Sequence, residues 1–226
     1  AKNWPWHVAA ELERSHLCQV FSRVLLQKRH GQPATLSVSG VRYFRDRGKL
    51  VGQNAVFPTL RWPGFYLDGQ TGFGWAARAG LLEQVPLYDA GVVGGGDKMI
   101  YVASFCDSED RWHAAAKLVR SRNAPCPRCN HVSQATLYTQ DYLAWAERWA
   151  KAVGGKVGYA DLAIRDLFHG EREHKRYRDR KQILLNYDYD PATDLEQNAD
   201  GCWKWSSDKG GLHADVKQYF RERRES

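Results

Sequence analysis

Apolar and polar positions alternate along this chain in patterns that predict most of its elements. Tyr138, Tyr142, Trp145 and Trp149 recur at spacings of 4, 3 and 4. That spacing sets one aromatic stripe, read as core-facing, on a helix reaching about residue 153. Gly154 and Gly155 end it. Trp4, Val8 and Leu12 repeat every fourth residue, which predicts a helix from Trp4 with Asn3 as its cap and Pro5 in its first turn. Over 16–26, Cys18, Val20, Val24 and Leu26 alternate with more polar neighbours, the pattern of a strand. Glycines and prolines crowd 30–72, which reads as loops and short strands, and a short helix is expected over 75–84.

Farther along, 89–97 reads D-A-G-V-V-G-G-G-D, a tight glycine loop with a helix starting at or after Asp97 and running to about residue 105. The polar stretch 107–135 reads as an inserted loop. Short strands are expected over 156–159 and 162–168, and a charged helix over 171–187 with only Tyr177, Leu184 and Tyr187 as apolar positions. A last helix over 212–225 buries Leu212, Val216, Tyr219 and Phe220. Asp188-Tyr189-Asp190 follows the hydrophobic run Ile183-Leu184-Leu185 and imitates a metal-binding D-x-D. The run continues a charged helix, and Pro191 and Asp194 follow it, so it reads as a helix terminus and a new helix start.

Composition narrows the class. The 226 residues carry 33 Lys plus Arg against 26 Asp plus Glu, a net charge of +7, with 43% hydrophobic residues. These are globular values that exclude disorder. No apolar run approaches the ~20 residues of a bilayer span. Five cysteines, at 18, 106, 126, 129 and 202, are an odd, irregular set. They argue for a reducing compartment, hence a cytoplasmic location, over a disulfide framework. Nine Trp, 11 Tyr and 8 Phe supply flat surfaces that suit sugars or bases as well as a core.

Three places carry candidate chemistry. Gly94, Gly95 and Gly96 let the backbone approach a ligand, and Asp97 at the helix start is either an N-cap or a general base facing a cleft. A phosphate loop of the G-x-x-x-x-G-K type does not fit, because an acid precedes Lys98. His169-Gly170, at a strand end, is placed to ligate a metal. Beyond it, Arg176 and Arg180 stand four apart on one helical face beside Tyr177, where they would hold a diphosphate through bidentate contacts. Alternatively, they belong to an ion-paired surface with Glu171, Glu173 and Asp179. Cys126 and Cys129 form half of a structural zinc site, with Cys106, His113 and His131 as the nearby partners.

Several of these blocks, in order, resemble one family: nucleotide-sugar glycosyltransferases of the GT-A fold, in the galactosyltransferase-like branch. Gly64-Phe65-Tyr66 through Gly72-Phe73-Gly74-Trp75-Ala76-Ala77-Arg78 is similar to the family's glycine-aromatic turn and W-A-x-R segment. Leu87-Tyr88-Asp89 through Gly94-Gly95-Gly96-Asp97 resembles the loop that carries the catalytic acid. Phe168-His169-Gly170 with Arg176, Tyr177 and Arg180 resembles the tail whose histidine completes the metal site. Gln19-Val20-Phe21 is similar to the strand after the D-x-D region.

The resemblance implies an α/β chain (α+β as a fragment) with a mixed sheet flanked by helices, 1–226 forming one catalytic-domain portion. It implies the C-terminal part of a GT-A fold, the D-x-D half preceding Trp4. An incomplete sheet would expose edges, which predicts oligomerisation. The implied reaction transfers a sugar from a nucleotide-diphosphate sugar to a hydroxyl acceptor with inversion. Asp97 is the base, His169 a ligand to Mn²⁺ or Mg²⁺, and Trp62 and Trp75 the acceptor platform. Gly95, Gly96, Arg176, Tyr177 and Arg180 bind substrate. The competing classes are a basic, aromatic-rich nucleic-acid module with a zinc knuckle at Cys126 and Cys129, and a degenerate domain kept for protein contacts.

Overall fold

The structure is a computed structural model that describes residues 3–27, 34–51, 69–119, 136–168, 170, 173–177 and 180–223. It is a mixed α/β arrangement of small mixed sheets flanked by helices. Helix α1 (Trp4–Leu12) forms where the fourfold repeat predicts it, with Asn3 at the cap position but making no side-chain cap bond. Its last carbonyls are capped from elsewhere: Arg78 donates to the carbonyls of Leu12 and Glu13, both at 2.6 Å.

The strand expected over 16–26 is two strands. β1 (Leu17–Gln19) pairs antiparallel with β4 (Trp75–Ala77) and parallel with β5 (Val157–Tyr159). β2 (Arg23–Leu26) pairs antiparallel with β3 (Thr35–Val38) and parallel with β6 (Ala163–Asp166). The segments 17–26 and 157–166 thus run side by side through both sheets and bend together. At the bend, Ser22 donates through Oγ to Asp161 Oδ1 at 2.6 Å and through its N–H to the Leu162 carbonyl at 2.8 Å. The bend is a non-local property, invisible to a period-2 pattern.

Two further corrections fall on helices and strands. Residues 40–47 are a helix, α2 (Gly40–Arg47), capped by Ser39 Oγ accepting from the Arg42 N–H and closed by left-handed Gly48. The segment expected as one helix over 75–84 begins as β4, because Trp75 pairs with Gln19, and becomes helical only in α3 (Ala79–Gln84).

The core gathers around three helices. α4 (Gly96–Ala103) buries every residue from Met99 to Ala103. α5 (Glu109–Lys117) occupies the first part of the expected inserted loop and buries Ala115 and Ala116 against the core. α6 (Leu137–Val153) buries Tyr138, Tyr142, Trp145, Trp149 and Val153, and left-handed Gly154 caps it. Its aromatic stripe is also a hydrogen-bonding edge. Tyr142 donates to the Met99 carbonyl at 3.0 Å, Trp145 to the Pro86 carbonyl at 2.8 Å and Trp149 to Ser104 Oγ at 2.8 Å. Three of the four buried polar tips therefore have an acceptor, and among the described residues the Tyr138 hydroxyl has none.

The charged helix expected over 171–187 is not continuous. A 3₁₀ turn (Glu173–Lys175) leads to Arg176 at φ +45°, and α7 begins at Arg180 and ends at Leu185. The D-x-D imitation is a helix terminus and start, as its context predicts. Asp190 caps α8 (Pro191–Asp194), its carboxylate accepting from the Ala192 N–H and Thr193 Oγ1. A hairpin of β7 (Leu195–Gln197) and β8 (Trp203–Trp205) follows, then α9 (Gly210–Glu222), which buries Leu212, Val216 and Tyr219 and leaves Phe220 half-exposed. Among the described residues no helix is long and apolar enough to cross a membrane.

Candidate functional site

The glycine loop folds into the feature around which the candidate site is built. Gly94 and Gly95 both take left-handed backbone, φ +84° and +95°, a conformation in which a side chain is strained. Gly95 is the N-cap of α4, so Asp97, in the first turn of the helix, is not the cap. Its carboxylate is exposed and accepts from Thr71 Oγ1 at 3.1 Å. It lies so close to Gly72 that a Cβ there would come within 3.1 Å of Oδ2.

Trp75 belongs to the same junction, its indole N–H donating to the Thr71 carbonyl at 2.9 Å. One short segment, 71–75, thereby connects the carboxylate of Asp97 to a half-buried indole. That segment is held from behind by Gln19, whose buried amide donates to the Gln70 carbonyl at 3.0 Å and accepts from the Val41 N–H at 2.9 Å. Sequence reading placed Gln19 only as part of a similar strand. Its role as a brace depends on α2, which the local pattern did not reveal.

On the other side of the glycine turn lies the start of α7. Arg180 is 7% exposed. A Cβ on Gly95 would meet its Nη2 at 3.0 Å, a tight contact, while one on Gly94 would reach its Nη1 only at 3.4 Å, ordinary contact. Tyr219 fixes the guanidinium by accepting from Nη1 at 3.3 Å, and the Tyr177 ring lies 4.9 Å from Cζ. Among the described residues no carboxylate pairs with Arg180, and its Nε has no hydrogen-bond partner.

Lys181 follows, donating to the Leu118 carbonyl at 2.6 Å. Burial first, then the charges of Arg180 and Lys98, push its ammonium down to about 8, with Asp97 opposing. Lys181 escaped sequence reading because nothing in its local pattern reveals its burial.

The expected substrate-binding residues divide. Asp97 and Trp75 meet at Thr71; Gly95 lies against Arg180 on the other side of the turn, with Tyr177 beside the guanidinium, and Gly96 lies near the Tyr88 carbonyl. Arg176 lies outside α7, and its Nη1 is 3.5 Å from Glu222 Oε2 of α9, so the expected single helical face with Arg180 is not formed. Trp62, Cys126, Cys129 and His169 lie outside the described residues. The possible zinc partner Cys106 is buried, its thiol donating to the Val102 carbonyl, while His113 approaches Glu109 at 3.9 Å. Among the described residues no group of three or more His, Cys, Asp or Glu is placed to hold a metal ion. Compared with known proteins, the chain matches no family model, no curated protein and no solved structure.

Proposed function

We propose that this chain is the acceptor-side, base-bearing part of a GT-A-type glycosyltransferase that moves a sugar from a nucleotide-diphosphate sugar to a hydroxyl with inversion. The observation that carries this reading is the junction at Thr71, where an exposed carboxylate and a half-buried indole are joined through one residue: Asp97 at 3.1 Å and Trp75 at 2.9 Å. A base accepting a hydroxyl proton must be reachable, and the Asp97 carboxylate is exposed in the first turn of α4. The acceptor oxygen attacks the anomeric carbon, the bond from that carbon to the diphosphate breaks, and the hydroxyl proton passes to Asp97. In this reading the part of the Trp75 indole left uncovered by the core stacks on the acceptor ring.

The resemblance further implies Mn²⁺ or Mg²⁺ with His169 among its ligands. The described residues assemble no such site, and the roles given to Asp97 and Trp75 do not depend on one. The test is sugar transfer from a panel of nucleotide-diphosphate sugars to hydroxyl acceptors, measured for the wild type and Asp97→Asn. A positioned base is worth about 10²–10⁴-fold. The variant is expected to lose activity on that scale while remaining folded; transfer at the wild-type rate would remove Asp97 from the role.

A further inference from the structure

The C-terminal hairpin carries an exposed indole that neither the core nor the proposed base site uses. Trp203 opens β8 and is 41% exposed. Two residues on, Trp205 stands on the same face of the strand and packs inward, stacked on His213 at 4.5 Å and edge-on to Tyr189 at 6.4 Å. Trp203 therefore continues a core-packed face past the margin of the core. Single exposed apolar residues are ordinary, but this one is fixed in place. Its indole N–H donates to Asp89 Oδ2 at 2.8 Å, which orients the ring. Its backbone pairs with Gln197 and leaves a tight turn in which Asn198 Oδ1 accepts from the N–H groups of Asp200 and Cys202, at 3.0 and 2.8 Å. A flat ring already held in place loses little further freedom when a ligand stacks on it. Asp89 is exposed as well, and among the described residues nothing besides the indole bonds to its carboxylate.

A flat apolar face with an acceptor oxygen at its edge matches a sugar ring, which has an apolar C–H face and hydroxyl donors around its rim. A nucleic acid fits poorly, because Asp89 would repel its phosphates. A quaternary ammonium is best held by a cage of aromatic walls, and the hairpin supplies one indole. The surface also adjoins the proposed base. A Cβ on Gly96 would lie 3.6 Å from the Tyr88 carbonyl, so Asp89, next after Tyr88, and Asp97, next after Gly96, belong to neighbouring segments. We propose that Trp203 and Asp89 form a saccharide-binding surface, the indole stacking on the ring and the carboxylate accepting from its hydroxyls. A second step rests on the transferase reading: there the surface holds the second ring of an acceptor built of at least two sugars. The saccharide surface itself does not depend on that reading.

Fluorine NMR of the protein labelled with fluorotryptophan tests the surface, with cellobiose, lactose, maltose and diacetylchitobiose each titrated to tens of millimolar. The Trp203 signal is the one missing from labelled Trp203→Leu. It is expected to shift saturably with at least one of these sugars. Saturation-transfer NMR of that sugar should show binding weakened roughly tenfold or more in Trp203→Leu and Trp203→Ala. Circular dichroism checks that each variant is folded, and either one suffices if the other is not. Asp89→Asn keeps an oxygen for the indole N–H and should weaken binding by a smaller factor, about threefold. A Trp203 signal unmoved by all of these sugars, or undiminished binding in a folded Trp203 variant, overturns the surface. A larger shift with tetramethylammonium than with any sugar overturns the saccharide class. In transfer assays, Trp203→Leu should raise the KM of a disaccharide acceptor more than that of the matching methyl monosaccharide. Equal rises overturn the second-ring assignment. Sugar binding at Trp203 in a protein without transfer activity rejects only the transferase reading.

Discussion

The bond between Trp149 and Ser104 is the most direct place to measure what holds α6 against α4. Trp149 is fully buried and stacks on Trp145 at 5.2 Å, and its indole N–H donates to Ser104 Oγ at 2.8 Å. Ser104 is itself committed, donating to the Ile100 carbonyl at 2.7 Å. Ser104→Ala therefore leaves a buried donor without its acceptor, a loss of about 1–3 kcal/mol. Trp149→Phe keeps a stacked ring but removes the donor and leaves a void of roughly 40 Å³. At ~24 cal/mol per Å³ the void costs about 1 kcal/mol, and with the lost bond and contacts the total is about 2–3 kcal/mol. The double variant strands no donor, so it is expected to be more stable than the sum of the single losses implies, by about 1 kcal/mol of coupling. Urea unfolding with a constant m-value measures all three, and each kcal/mol corresponds to about 2–4 °C in Tm for a chain of this size. If Ser104→Ala loses less than ~0.5 kcal/mol, or the two losses simply add, the indole bond does not stabilise the seam and its account must be abandoned.

Three further outcomes are expected. Lys181→Met should stabilise the protein at pH 7, because an ammonium with a folded-state value of about 8 is held in its charged form at a cost there. The penalty is fully present below that value and fades as pH rises toward the ordinary lysine value, so the advantage of the variant should shrink between pH 8 and about 10.5 in denaturant titrations. Gly95→Ala, placing a Cβ at φ +95° and 3.0 Å from Arg180 Nη2, should cost about 1–2 kcal/mol in urea unfolding. Asp194→Asn should cost about 3 kcal/mol at pH 7, since the buried carboxylate accepts from Lys209 Nζ and the Asp190 N–H, both at 2.9 Å. Burial raises its carboxyl, but the bonds from the Asp190 N–H and Lys209 outweigh that and hold it below the ordinary value. That stability is present above the unfolded carboxyl value and lost as pH falls through the folded one, so the gap to wild type should close below about pH 4.

What the sequence made legible was whatever local spacing controls. The α6 stripe, the Gly154 stop, the start of α4 and the turn at Asp190 all follow from residues within a few positions of one another. What stayed hidden was set by distant partners. Trp75 extends as a strand because Gln19 lies beside it, and 17–26 bends because 157–166 bends with it. α2 carried its own capping signals in Ser39 and Gly48, yet glycines on either side masked them. Asp97, Trp75 and Arg180 stood out as candidates in the sequence. The brace from Gln19 and the burial of Lys181 could not, because each depends on an element from another part of the chain.

The twin tracks that thread both sheets also govern the order in which the molecule can be made. Ser22 and its partner Leu162 are 140 residues apart, so a nascent chain emerging from the ribosome offers β1 and β2 only their antiparallel neighbours until β5 and β6 have been synthesised. Pairings of such long sequence separation are slow to close. The unmatched edges that wait for them are the surfaces most exposed to misassociation, and truncation anywhere before residue 157 would leave them permanently open.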